Sequence, residues 1–135
     1  MLNRWCGLAA LSALALSGCA NELGPEPMPT VRVVGRVHIR GAPVGPGWIE
    51  FNPVDGTIGL LRVAQIAADG TFVADRVSLG KNAIQIAPAA NLPLAFRDFG
   101  RIALVRREVR DTPTTTIDID LEDELLHLLK EHGRL

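Results

Sequence analysis

Val31-Arg32-Val33-Val34-Gly35-Arg36-Val37-His38-Ile39 alternates between apolar and polar side chains. Successive side chains of an extended chain point to opposite faces. The alternation therefore puts Val31, Val33, Val37 and Ile39 on one face and Arg32, Arg36 and His38 on the other, as in a half-buried β-strand. Working outward, the theme repeats. Arg40-Gly41-Ala42-Pro43 reads as a turn. Trp48 to Phe51 is the next strand, closed by Pro53 and Asp55-Gly56, and Leu60 to Ala67 is a third. Asp69-Gly70 marks a hairpin, because Gly tolerates positive φ; Thr71 to Ala74 leaves it, and Asn82 to Ile86 follows Gly80. Ala87 to Gly100 carries Pro88 and Pro93 with little alternation, so it is expected to be a long loop. Ile102 to Val109 and Thr115 to Leu121 are expected to pair with each other around Asp111-Thr112-Pro113. Short strands divided by frequent turn signals predict an all-β, antiparallel sandwich of about seven strands, not βαβ units.

Beyond the strands the pattern changes. Glu122 to His132 begins acidic, ends basic and meets Gly133, the order that suits a helix dipole and its C-terminal stop. Leu125, Leu126, Leu128 and Leu129 are expected to form its apolar stripe, covering the open end of the sheet or docking a partner.

The N-terminus is of another kind. Met1 to Arg4 carries one positive charge, Trp5 to Leu16 is apolar, and Leu16-Ser17-Gly18-Cys19 follows. A charged start, a short apolar run and small residues before a cut mark a secretory signal peptide. The run falls short of the roughly 20 apolar residues that a transmembrane helix needs. Leu16-Ser17-Gly18-Cys19 resembles the bacterial lipobox. That resemblance implies a diacylglycerol on the Cys19 thiol, cleavage between Gly18 and Cys19, and acylation of the new amino group. Ala20, where an Asp would favour inner-membrane retention in some bacteria, favours the outer membrane of a two-membrane cell. Pro25, Pro27 and Pro29 then punctuate a spacer. The expected organisation is a signal peptide over 1–18, a lipidated Pro-rich tether over 19–30, a β-sandwich over 31–121 and a helical tail over 122–135.

Composition narrows the function classes. Of 135 residues 47% are hydrophobic and 21% charged, which is enough apolar material for one packed domain. A net charge of −1 gives no general argument for nucleic acid as a partner. The two cysteines are expected to be cleaved off (Cys6) and lipidated (Cys19), so no disulfide framework remains. Aromatics make up only 4%, with no Tyr, which disfavours stacking platforms for sugars or bases.

Three stretches of the strand region resemble the carboxypeptidase regulatory-like domains, which have a transthyretin-like β-sandwich. Val34-Gly35-Arg36-Val37 before Gly41-Ala42-Pro43-Val44 is similar to the family's opening. Ile49-Glu50-Phe51-Asn52-Pro53 is similar to its following strand. Ala68-Asp69-Gly70-Thr71-Phe72, then Val77 through Gly80-Lys81, is similar to its next hairpin. The likeness spans Val31 to Ile86 and departs at Asn82, where the family carries an aromatic residue. It implies a structural or binding module and assigns no chemistry.

No catalytic constellation is expected. Ser78, the one serine after Cys19, lacks a nucleophile-elbow setting. His127 and His132 lie about 140° apart around a helix, which does not suit a shared metal. Asp118, Asp120 and Glu122 alternate and are candidates for a calcium site. The simpler expectation is that they face Arg101, Arg106, Arg107 and Arg110 across a sheet. No cofactor is implied. The expected function is a non-enzymatic, lipid-anchored module of the cell envelope, tied to the membrane by Cys19 and serving binding, assembly or support with an envelope protein partner. Alternatives are an outer-membrane assembly lipoprotein of a secretion system, with the Ala87–Gly100 loop and the terminal helix as contact surfaces, and a small-ligand carrier.

Overall fold

A computed structural model describes residues 28–88 and 92–133. The strands are β1 (Thr30–Ile39), β2 (Ala42–Pro43), β3 (Gly47–Pro53), β4 (Arg62–Ile66), β5 (Thr71–Ser78), β6 (Gly80–Pro88), β7 (Val105–Val109) and β8 (Thr114–Asp120). A 3₁₀ helix covers Leu94–Gly100 and an α-helix, α1, covers Leu121–Glu131. The signal, cleavage and lipidation residues, including Gly18 and Cys19, lie outside the described residues.

The strands form one curled, mostly antiparallel sheet with neighbours in the order β8-β1-β5-β4-β3-β6-β7. The two-residue β2 extends the β5 side of β1, with Ile39 opposite Ala42. Alternation decides what the curl encloses. Val33 and Val37 of β1, Ile49 and Phe51 of β3, Phe72 and Val77 of β5, Ile84 and Ile86 of β6, Val105 of β7 and Ile119 of β8 are all buried. Phe51 of β3 and Phe72 of β5, on the two strands that flank β4, meet with ring centroids 6.0 Å apart. Each fully buried side chain of this size contributes about 1.5–3 kcal/mol relative to exposure. The turn at Asp69-Gly70 is built as expected, with Gly70 at φ 84° and the Asp69 carboxylate accepting from both the Thr71 N–H and its hydroxyl.

Three expectations are corrected. The strands near the C-terminus do not pair with each other: β7 adds antiparallel to β6, whereas β8 lies parallel to β1, with Gly35 opposite Ile117. Alternation is the same in a hairpin strand and in one that crosses to another edge, so the pattern left the partner open. Gly35 makes the crossing possible, because a Cβ there would stand 2.0 Å from the Ile117 carbonyl oxygen and 2.7 Å from Phe72 Cζ. The Ala87–Gly100 stretch is also more regular than a loop. Strand β6 runs on to Pro88, and the 3₁₀ helix buries Phe99 in the core. Leu121 belongs to α1 and not to the preceding strand; it is fully buried and leads the helix off the core.

Candidate functional site

The acidic series gathers at the end of the molecule where β1, β8 and α1 meet. Asp118 and Asp120 project from β8, and Glu122 stands in the first turn of α1. Because β8 lies beside β1, the cations facing them are Arg36, His38 and Arg40, not the expected Arg101, Arg106, Arg107 and Arg110. Of that expected group, Arg107 pairs with Glu124 of α1.

His38 is the buried member, 7% exposed. Its Nδ1 accepts from the Gly41 N–H at 3.1 Å, which leaves Nε2 to carry the proton toward Asp118. Nε2 lies 3.0 and 3.1 Å from the two Asp118 oxygens. Arg36 Nε stands 3.5 Å from the same carboxylate. The His38 hydrogen bond, aided by the Arg36 guanidinium, holds the Asp118 carboxyl below its ordinary range, against a smaller opposing effect of desolvation. Asp120 caps α1: its carboxylate accepts from the Glu122 N–H at 3.0 Å and from the Arg40 N–H at 3.3 Å. Arg40 pairs with Glu122 through two guanidinium nitrogens, which lowers the carboxyl and raises the guanidinium.

Each acidic side chain of the series thus has a partner on β1 or on Arg40 directly after it, and the arrangement ties β8 and α1 to the first strand and its turn. Among the described residues no three or more His, Cys, Asp or Glu side chains are grouped to hold a metal ion. The His38–Asp118 pair also lies far from Ser78. Thr30 is the residue paired with Ser78, and His38 stands eight residues further along β1, roughly 26 Å away at strand rise. His127 pairs with Glu131 on its own helix at 3.2 Å, and His132 Nδ1 meets the Leu128 carbonyl oxygen at 2.8 Å.

The leucine stripe divides. Leu125 and Leu128 pack against the core, Leu129 is half-buried, and Leu126 turns outward at 42% exposure. Leu125, Leu128 and Leu129 line an open groove of about 300 Å³ with Ala95, Phe99 and Leu104 from the 3₁₀ helix and the segment after it.

The opposite end of the sheet holds a polar lock that the sequence signalled only as a departure from a family pattern. Asn82 is buried, and its Nδ2 donates to the carbonyls of Ser78 at 2.9 Å and Gly80 at 3.1 Å, pinning the β5–β6 turn. The Val54–Leu61 loop folds against this turn: Gly59 abuts Ser78, and Thr57 Oγ1 accepts from the Lys81 N–H at 2.8 Å. Comparison of the chain with family models, curated proteins and solved structures finds no match.

Proposed function

We propose that the chain is a lipid-anchored, non-enzymatic module of the cell envelope whose β-domain is of the transthyretin-like sandwich type. The observation that carries this reading is Leu16-Ser17-Gly18-Cys19 at the end of a short apolar run. Two or more acyl chains on one cysteine hold a protein far more firmly than the single chain whose binding is reversible. No described helix is long and apolar enough to cross a membrane. The sandwich reading is supported by the way β8-β1-β5 and β4-β3-β6-β7 curl toward one another over a shared apolar core. The binding-module reading is supported by acidic side chains engaged in tying strands together and by grooves that are open and shallow.

The test is Cys19→Ser in the full chain, followed by acyl labelling and membrane flotation. Loss of label and release of a folded domain are the expected results. An unlabelled wild-type chain, or a mutant that floats as completely as wild type, would refute the assignment.

A further inference from the structure

The Val54–Leu61 loop carries three large apolar side chains facing solvent within four residues: Ile58 is 78% exposed, Leu60 55% and Leu61 51%. So much exposed apolar surface within four residues is unfavourable in water. Its place is set by contacts already described, since Gly59 rests on Ser78 and Thr57 on Gly80 and Lys81. That same turn receives the start of the domain: Thr30 pairs with Ser78, and the Leu79 N–H donates to the Pro29 carbonyl at 3.2 Å. The apolar tip and the point where the chain from Cys19 enters the fold are therefore neighbours. Eleven residue steps separate Cys19 from Thr30, a reach of no more than about 40 Å even fully extended.

The charges around the tip suit an interface. Arg62 follows Leu61 directly and donates to the Arg76 carbonyl at 3.0 Å, which places the two residues together. Lys81 sits beside Thr57, and Arg110 follows Val109, the partner of Gly80. Asp55, Asp75, Glu108 and Asp111 share this end, with Asp75 paired to Arg32 and Glu108 opposite Lys81, so the five cations, Arg32 included, exceed the four carboxylates by one. Apolar side chains with Arg62 and Lys81 beside them match the layered chemistry of a bilayer surface, with acyl chains beneath anionic headgroups.

From this we infer that the Ile58–Leu61 tip is a second membrane contact, dipping into the headgroup–acyl boundary of the lipid surface that holds Cys19 and fixing the orientation of the domain on it. The inference rests on the lipid anchor proposed above. It sets the β1 start, the β5–β6 turn and the loop toward the lipid, and the His38–Asp118 cluster and α1 away from it.

The test uses the full chain, processed in bacterial cells and reconstituted into phosphatidylethanolamine–phosphatidylglycerol vesicles, in a Trp48→Phe background. Leu60→Trp reports the tip. Leu94→Trp reports the far end, beyond Pro88 of β6 and roughly 25 Å away along that strand. Ile58→Trp is a second tip probe should Leu60→Trp fail to fold. With brominated acyl chains in the vesicles, the tip probe is expected to shift to the blue and to be quenched severalfold more than the Leu94→Trp probe. Equal quenching at the two positions, with Cys19 acylated and the protein floating, overturns the inference and leaves the anchor standing. A blue shift without quenching that grows with protein density reports a protein contact and also overturns it. Absence of acylation overturns both readings.

Discussion

Gly35 occupies a point on β1 where the backbone of β8 and the ring of Phe72 leave no space for a methyl group. Gly35→Ala is expected to destabilise the fold by about 3 kcal/mol or more, seen as a lower urea midpoint, because β8 must move away from β1. Asp118 acts through charge. Its folded-state pKa is held below the ordinary value by His38 and Arg36. A depressed carboxyl contributes stability that is present above its unfolded pKa, about 3.9, and lost as the pH falls through the folded value. Glu122 and Asp69 are lowered in the same direction by Arg40 and Thr71. Acid titration followed by circular dichroism is expected to show wild type losing stability below about pH 4, with a shallower fall in Asp118→Asn. Identical slopes for the two proteins would count against the His38–Asp118 link. At this scale the sequence showed that the acidic residues would meet cations, and it pointed to the wrong ones. Charge type is local; the facing strand is set by where Ile117 and Ile119 find burial.

At the scale of elements, α1 shows how far a local pattern reaches. Acidic residues at its start, Lys130 near its end and Gly133 after it were sufficient to place the helix. Its first cap came from the preceding strand, since the Asp120 carboxylate accepts from the Glu122 N–H. Asp120→Ala is expected to cost about 1 kcal/mol, read as a lower melting temperature with helical signal lost first. The stripe of four leucines was too broad. Leu121, Leu125 and Leu128 lie three or four residues apart and turn inward, whereas Leu126 lies outside that spacing and turns to solvent. The β7–β8 segment misled for a related reason. Asp111-Thr112-Pro113 reads as a hairpin turn, yet it carries the chain from one edge of a curled sheet to the other.

For the molecule as a whole, the anchor proposed at Cys19 and the fold are expected to be separable. Cys19→Ser is expected to release the domain from membranes while leaving its thermal unfolding unchanged, because the packed core begins at Val31. A melting temperature lowered by several degrees would instead mean that the anchor segment takes part in the fold.

The amino-acid sequence by itself determined which segments are extended, which face of each strand is apolar, where the terminal helix lies, and that Cys19 sits in a lipobox-like setting. These properties depend on residues within one or two turns or pleats of each other. Only the tertiary structure decided that β8 lies parallel to β1, that Arg36, His38 and Arg40 meet the acidic series, and that the Ile58–Leu61 tip stands beside the start of the domain. Pairing joins residues some eighty positions apart, and it is chosen by which edge buries the most apolar surface without clash. Gly35 is small enough to leave that edge of β1 open to β8.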